Sequence, residues 1–185
     1  MKTYLLLLRG INVGGKNRLP MGELKELLEK AGCLDVKTYI NSGNVFLRSD
    51  EEELQFFCQK LILDHFHMAI SCQVISLHAL LSMNKQIPEW FNKDSRAKHN
   101  AIFTIDPWLP QDVIQMMPVP QPDIEKVFVG DQVIFWTCPK KAFSKSMYGK
   151  ISAKPQIYSK VTVRNGNTFE KLVAIAEDYL ERFGD

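Results

Sequence analysis

Three loops rich in asparagine and glycine contain the residues of this chain that are best suited to bind an anion. The first loop follows an apolar run at residues 4–8 and precedes Pro20 and a helical pattern. Its candidate binding residues are Arg9, Asn12, Gly14, Gly15 and Lys16. Glycine permits positive φ and leaves backbone N–H groups accessible, and a cationic loop between a strand and a helix favours anions. The loop therefore predicts where a ligand binds and which charge it has.

The second and third loops have the same composition. The second is a turn between two short strands, with Asn41, Ser42 and Asn44 as candidate ligand residues. In a βαββαβ order, this hairpin and the first loop can fall at opposite ends of the sheet, which would weaken a single-site hypothesis. The third loop precedes the last helix and contributes Arg164, Asn165 and Asn167. There Asn167 and Glu170 have capping-box spacing, and Arg164 adds a cation beside the helix dipole.

The charges of the chain are unevenly distributed, although the net charge is only +2. Residues 1–22 contain four basic residues and no acidic one, and residues 132–169 contain seven basic residues and no acidic one. Both segments include one of the cationic loops, which favours a shared electropositive face. Our leading hypothesis is a pocket, shared by the three loops, that binds a small molecule bearing a phosphate or a carboxylate.

Two other functions remain open at this stage. The spacing from Gly10 to Gly15, Lys16 and Asn17 resembles a phosphate loop with asparagine in place of serine or threonine, and Asp106 ends an apolar strand. A nucleotide-dependent transferase or hydrolase is therefore one alternative. The other is a module that binds single-stranded nucleic acid through bases interleaved with aromatic residues. The residues that support it are Lys140, Lys141, Lys145, Lys150, Phe143, Tyr148 and Tyr158.

The remaining reactive residue types do not indicate a known site. The four histidines and four cysteines lack the spacing of a metal site, and His65 falls on an apolar helical stripe, which predicts that it packs against the core. Cysteines without a CxxC pair favour reduced thiols and a cytoplasmic protein. The apolar run near Met1 is interrupted by Arg9 and is too short for a signal peptide, and no run approaches membrane-spanning length.

The order of predicted elements is βαββαβ, repeated twice. Helical spacing begins at Met21, a second helix follows Asp50 as its predicted cap, and the pair Gly130 and Asp131 predicts a hairpin between two apolar strands. Residues 139–147 are predicted to be helical. We therefore expect an α+β protein made of two tandem ferredoxin-like βαββαβ modules, with mainly antiparallel sheets and a C-terminal helix. The predicted modules span residues 1–76 and 99–185, and residues 77–98 form a connecting helix and loop.

Three segments together resemble a known bacterial family, the domain of unknown function 1697. They lie at residues 7–17, 39–45 and 162–168, and their order and spacing match across nearly the whole chain. The family often has a tryptophan where Gly166 stands here. The resemblance implies a cytosolic α+β protein of ferredoxin-like parts and supplies no established activity, cofactor or catalytic residue. It also counts against the phosphate-loop hydrolase, because the family is not grouped with those enzymes.

Overall fold

The strands of each half of the chain follow the βαββαβ order that the apolar periodicity indicates. A computed structural model describes residues 1–15, 17–151 and 153–184. The strands are β1 (Lys2–Leu8), β2 (Leu34–Tyr39), β3 (Asn44–Ser49), β4 (Cys72–Ser76), β5 (Ala97–Thr104), β6 (Lys126–Val129), β7 (Val133–Pro139) and β8 (Val161–Asn165). The helices are α1 (Met21–Lys30), α2 (Leu54–Phe66), α3 (Leu77–Lys85), α4 (Pro110–Met116), α5 (Met147–Ile151), α6 (Pro155–Tyr158) and α7 (Gly166–Phe183).

The fold class predicted from the sequence is confirmed. The strands form two four-stranded sheets with the orders β2-β3-β1-β4 and β6-β7-β5-β8, and all neighbouring strands are antiparallel. Each order is the one expected of a ferredoxin-like βαββαβ module. The chain divides into two units: residues 1–80 with 176–185, and residues 81–175. We refer to them below as unit 1 and unit 2.

In unit 1, the apolar run of β1 forms a central strand between β3 and β4. Residues Leu5 to Leu8 are fully buried. Alternate side chains of a strand point to opposite faces of the sheet, and Leu6 and Leu8 pack with the buried residues Leu24 and Leu28 of α1. The continuous apolar run thus reflects burial of both faces of the strand.

In unit 2, β5 occupies the corresponding central position between β7 and β8. The predicted hairpin is present, since the Gly130 N–H donates to the Val133 carbonyl over 2.8 Å. One face of the sheet packs around Trp136, which is fully buried. On the other face, the ring of Phe135 meets those of Phe91 and Phe169 edge-on, with centroid distances of 4.8 and 5.3 Å. Edge-to-face packing of this kind is favourable between aromatic rings.

Several predicted helix boundaries were wrong. The second helix starts at Leu54, so Asp50 does not cap it. Helix α7 starts at Gly166, and its cap is Asn165, whose Oδ1 accepts the Thr168 N–H over 2.9 Å. In an N-cap, the side chain of the residue before the helix accepts the backbone N–H of the third helical residue, as Asn165 does here. Asn167, which was predicted to be the cap, therefore lies inside the helix.

Two further expectations need correction. Residues 139–147 do not form one helix: a 3₁₀ helix (Lys140–Lys145) is followed by α5. His65 lies at the surface, and its Nε2 is 2.8 Å from Glu23 Oε1. The helical stripe places His65 beside α1, where the Glu23 carboxylate is available at the rim of the core.

Within the described residues, no helix combines the length and the apolar character needed to cross a bilayer.

Candidate functional site

The first loop (residues 9–19) and the hairpin at Asn41–Asn44 lie at the same end of the sheet in unit 1. Asn44 is the register partner of Leu7, and the Leu8 N–H donates to the Gly43 carbonyl over 2.8 Å. Because β3 runs antiparallel to β1, the start of β3 lies beside the end of β1. The structure therefore brings together two of the three predicted loops, and the separation at opposite ends that the element order allowed is not found.

Gly43 makes this close approach possible. Its φ is +83°, and a Cβ at this position would lie 2.6 Å from Leu8 Cβ and 2.9 Å from Ile11 Cδ1. Both the dihedral angle and the lack of space exclude a side chain there. The sequence pattern of the hairpin is therefore explained by packing against the first loop.

Asn12 holds the first loop in place with its side chain. Its Nδ2 donates to the carbonyls of Leu19 (2.9 Å) and Asn41 (2.8 Å), and its Oδ1 accepts the Leu19 N–H over 2.9 Å. Both amide hydrogens are thus used within the protein. Asn12 connects the loop to the entry of α1 and to the hairpin, and this structural role was not apparent from its type and position alone.

Asn44 and Ser42 also make bonds within the hairpin. Asn44 is fully buried, and its Nδ2 donates to the Tyr39 carbonyl (3.0 Å) and to Ser42 Oγ (3.1 Å). Burying the amide requires such partners. These two predicted ligand residues therefore close the turn of the hairpin.

The outer part of the first loop borders a cleft of about 430 Å³. Gly14 and Gly15 are exposed with positive φ, and Arg18 is exposed. Arg9 is half-buried, and its backbone N–H donates to the Ser71 carbonyl over 2.9 Å. Lys16 lies outside the described residues. The lining residues are Asn12, Gly15, Arg18, Leu19, Pro20, Met21 and Asn41.

A larger cleft, of about 820 Å³, lies in unit 2 at the start of α7, and we call it the α7 cleft. Its walls come from the segment before β5, from β5 itself, from the 3₁₀ helix, from α5 and from the first turn of α7. The lining residues are Asn92, Lys93, Asp94, Ser95, Ala97, Lys98, His99, Asn100, Lys140, Phe143, Tyr148, Asn165, Gly166 and Asn167. Two predicted site residues, Asn165 and Asn167, are among them.

Positive charge dominates the α7 cleft. Lys93, Lys98 and Lys140 are exposed and line it, and Lys98 Nζ lies 3.7 Å from the centroid of the Phe143 ring, a cation–π contact. Asp94 also lines it, but Arg96 Nε donates to Asp94 Oδ1 over 3.1 Å. The hydrogen bond from Arg96 holds the pKa of Asp94 below its usual value, and the paired guanidinium offsets the carboxylate.

His99 and Asn92 form the floor of the cleft. The Asn92 N–H donates to His99 Nδ1 over 3.0 Å, and His99 Nε2 lies 2.9 Å from the Asp94 carbonyl oxygen. This pattern assigns a neutral imidazole that is protonated at Nε2. Asn92 has a positive φ of 56°, and its Nδ2 donates to Asn167 Oδ1 over 3.0 Å. The histidine therefore fixes the backbone of the residue that reaches the first turn of α7.

Comparison with known proteins places this architecture in a family. The family model described as "Protein of unknown function (DUF1697)" matches residues 1–135. The chain belongs to this family. The solved structure of the conserved bacterial protein SP0830 from Streptococcus pneumoniae is 31% identical in sequence, with a TM-score of 0.83 over 95% of this chain and 98% of that one. No curated protein matches the chain.

The floor of the cleft explains why glycine suits position 166 in this DUF1697 member. A Cβ on Gly166 would lie 2.6 Å from Asn92 Cγ, so the asparagine occupies the space of a side chain. Sequence reasoning missed Asn92, Lys93, Lys98 and His99 as cleft residues. They lie in or next to the segment predicted to be a connecting helix and loop, which has neither a glycine-rich nor an acid-free pattern.

Arg164 does not belong to the described lining of the α7 cleft. It is 6% exposed, and its Nη1 donates to Thr162 Oγ1 (3.0 Å) and to the Val163 carbonyl (2.9 Å). Burial lowers the pKa of its guanidinium to about 10. Because side chains alternate along β8, Arg164 and Asn165 point to opposite faces of the sheet. Arg9 and Arg164 also belong to different units, and a pocket containing both stays a prediction.

The context of the first loop differs from that of a phosphate loop. In a phosphate loop the helix begins at the lysine, and its first N–H groups hold the phosphates. Here α1 begins at Met21, after the N-cap Pro20. Asp106, the proposed metal-facing residue, belongs to unit 2 rather than to unit 1. The loop of this DUF1697 protein is therefore stabilised by Asn12 and the hairpin rather than by a helix start.

Neither a metal site nor a reactive thiol is found among the described residues of the two clefts. Across residues 1–15, 17–151 and 153–184, no group of three or more His, Cys, Asp or Glu side chains is placed to hold a metal ion. The four cysteines are free thiols and are buried. Burial raises the pKa of Cys72 to about 12, and it also raises that of Cys58, so both thiols stay protonated. Protonated, buried thiols are poor nucleophiles and poor ligands.

Proposed function

We propose that this protein binds a small molecule bearing a phosphate or a carboxylate, and that the α7 cleft is its binding site. The observation that supports this most directly is that Lys93, Lys98 and Lys140 line one cleft. The carboxylate that accompanies them, Asp94, is already paired with Arg96. A cleft with several cations and one neutralised acid attracts an anion.

The distribution of charge in the chain supports the same site. Residues 81–175, which form unit 2, contain 13 basic and 8 acidic residues, whereas the rest of the chain contains 10 basic and 13 acidic ones. Lys140 belongs to the acid-free segment 132–169, so no carboxylate close in sequence competes for it. An anionic ligand is therefore drawn to unit 2 before it makes any specific contact.

The first turn of α7 adds directional donors to this charge. The helix has 18 residues, and Gly166 and Asn167 of its first turn line the cleft together with the lysines. The N-terminus of a helix favours an anion by about 0.3–1 kcal/mol. Asn165 Oδ1 accepts the Thr168 N–H and so orders this first turn, whose preceding N–H groups have no partner within an ideal helix.

Thermal shift and isothermal titration with inorganic phosphate, adenosine monophosphate and succinate test this function. We expect at least one of the three to raise the melting temperature of the wild-type protein. Lys98→Gln and Lys140→Gln should each weaken its binding about threefold to tenfold, because each removes one charged contact. Lys171→Gln, an exposed lysine of α7 that does not line the cleft, is the matched control and should bind like wild type.

Two results would contradict the proposal. One is that none of the three anions binds. The other is that Lys98→Gln and Lys140→Gln bind normally while Arg18→Gln, at the first-loop cleft of unit 1, does not. The second result would assign the anion to the first loop instead, where Arg18 and Gly15 line the smaller cleft.

A further inference from the structure

Four exposed lysines follow the cleft residue Lys140 along the chain of unit 2. We call them the lysine row and define it as Lys141, Lys145, Lys150 and Lys154. Lys141 follows the cleft residue Lys140 directly, and the 3₁₀ helix and α5 carry the next two. Lys154 precedes α6 as its N-cap residue. The positive surface is therefore larger than the cleft itself.

The position of the lysine row relative to the cleft is set by hydrogen bonds. Ser146 Oγ donates to the Phe143 carbonyl over 2.7 Å and accepts the Gly149 N–H over 3.0 Å. These bonds fix the turn between the 3₁₀ helix and α5. The Met147 N–H, at the start of α5, donates to the carboxylate of Glu125. The row and the cleft wall that carries Phe143 and Tyr148 are thus parts of one ordered segment.

The amount of charge exceeds what one small anion requires. The three lysines of the cleft suffice for a phosphate, and the four lysines of the row remain without any acidic residue between positions 132 and 169. Clustered like charges repel each other, so a surface of this kind is stabilised by a ligand with several negative charges. The complementary ligand is a chain of phosphates rather than a single one.

The aromatic residues of the cleft indicate that the phosphates belong to a strand of nucleotides. Phe143 and Tyr148 both line the cleft, with ring centroids 6.0 Å apart, and each residue is half-buried. Aromatic rings beside lysines are the usual means by which proteins stack bases of a single strand. The basic elements here, α5 and α6, have five and four residues, too short to enter the major groove as a recognition helix does.

We propose that single-stranded nucleic acid binds unit 2, with one nucleotide in the α7 cleft and the adjoining phosphates on the lysine row. This proposal rests on the proposed function, since it takes the anion of the cleft to be one unit of a longer strand. It goes further by assigning the lysine row, whose residues do not line the cleft.

Fluorescence anisotropy with a labelled single-stranded dodecamer of deoxythymidine or uridine, at several salt concentrations, tests the proposal. The variant is the triple substitution Lys141→Gln, Lys145→Gln and Lys150→Gln. The control triple is Lys30→Gln, Lys37→Gln and Lys60→Gln, three exposed lysines of unit 1 that give the same change in net charge. Adenosine monophosphate is titrated against every protein, and circular dichroism confirms that each variant is folded.

We expect the wild type to bind a dodecamer at least about tenfold more tightly than the mononucleotide at low salt. The row triple should weaken dodecamer binding about tenfold or more. It should reduce the salt slope by about 0.7 for each lysine that contacts a phosphate, and leave mononucleotide binding unchanged. The control triple should behave like wild type.

The possible failures are distinguishable. If adenosine monophosphate binds but neither dodecamer binds more tightly, the proposed function stands and this inference is wrong. If the lysine-row variant and the control variant lose equal affinity for the dodecamer, binding depends on net charge alone and the lysine row is not a site. If a duplex of the same length binds better than the single strand, the assignment to single strands is overturned. If no anion binds at all, both proposals fail together.

Discussion

Asn92 Nδ2 donates a hydrogen bond to Asn167 Oδ1 over 3.0 Å, joining residues that are 75 positions apart in the sequence. The bond connects the segment before β5 to the first turn of α7. Gly166 accommodates it, because a Cβ there would overlap the Asn92 side chain. The relationship between Asn92 and Asn167 therefore determines the shape of the α7 cleft, and it requires glycine at position 166.

We expect Gly166→Ala to destabilise the protein by about 1–3 kcal/mol, the usual cost of adding a group to a filled site. The new methyl group would displace Asn92, break its bond to Asn167 and change the floor of the cleft. Urea denaturation measures the loss of stability, and titration with adenosine monophosphate measures the effect on the cleft.

Gly22→Ala is the control for the change of glycine to alanine. Gly22 lies in α1, and a Cβ there meets no atom within 4 Å. Alanine has the higher helix propensity, so this variant should be as stable as wild type or slightly more stable. A Gly166→Ala protein with wild-type stability and binding would show that Asn92 does not occupy this space in solution.

The architecture was predictable because it depends on local apolar patterns. The runs that form β1, β5 and β7 and the Gly130-Asp131 hairpin all follow from periodicity and turn chemistry, and together they give the order of elements in two βαββαβ modules. Helix starts were less predictable. At the start of α7, both Asn165 and Asn167 are suitable caps, and only the register of β8 decides that Asn165 is used.

The candidate site was predictable only in part. Composition located the first loop and the hairpin. The predicted third loop is instead the end of β8 followed directly by α7, where Asn165 and Asn167 line a cleft. Composition does not show what an asparagine side chain is bonded to, so Asn12 and Asn44 looked like ligand residues although they bind backbone carbonyls. Alternation of side chains along β8 directs Arg164 to one face of the sheet, where it is buried. The sequence does not specify which face of the sheet is covered. His99 and Lys98 join the cleft through tertiary packing, for which the sequence has no local signal.

The role of Asn12 as a structural residue can be tested with an isosteric change. Asn12→Asp keeps the oxygen that accepts the Leu19 N–H but removes the two hydrogen-bond donors. It places a carboxylate against the carbonyls of Leu19 and Asn41, which now lack their donor. We expect a loss of about 1–2 kcal/mol, because the Leu19 carbonyl is partly buried and loses its donor, whereas the Asn41 carbonyl is exposed and can bond to water. Urea denaturation at neutral pH measures it.

Asn17→Asp provides the comparison within the same loop. Asn17 is exposed and donates a side-chain bond to the Gly10 carbonyl over 3.0 Å, so its replacement should cost about 1 kcal/mol or less. If Asn12→Asp is no more destabilising than Asn17→Asp, Asn12 is available to a ligand, as its sequence context first suggested.

Stability should fall at alkaline pH, in part because of Cys72. Burial raises the pKa of this thiol from 9.0 to about 12 in the folded protein, whereas the unfolded chain has the ordinary value. The unfolded state therefore releases the proton first, and the stability contributed by the protonated thiol is fully present below pH 9 and is lost as the pH rises towards 12. Urea denaturation across this range measures the decline.

Cys72→Ala should make this decline less steep, by up to about 1.4 kcal/mol per pH unit, because one alkaline titration is removed. Some decline should remain, since burial also raises the pKa values of Cys58 and Tyr179. An unchanged slope in Cys72→Ala would mean that the thiol titrates equally in the folded and unfolded chains and is therefore not desolvated.

Glu125 is a buried carboxylate on which the wall of the α7 cleft depends. Its Oε2 accepts the indole N–H of Trp136 over 2.7 Å, and its Oε1 accepts the backbone N–H groups of Gln121 (2.8 Å) and Met147 (2.9 Å). Glu125→Gln would replace one acceptor oxygen with an NH₂ group that faces these donors. We expect a loss of about 2–4 kcal/mol, because bonds to a charged acceptor are strong and the donors stay buried.

This loss should be accompanied by weaker ligand binding, because Met147 begins the helix that carries Tyr148. Urea denaturation followed by tryptophan fluorescence measures the stability, and titration with adenosine monophosphate under conditions where the variant is folded measures the binding. Glu89→Gln, at an exposed position of the same unit, should change neither. If Glu125→Gln lost stability but bound normally, α5 would be positioned by its apolar contacts alone, and the carboxylate would serve only the core around Trp136.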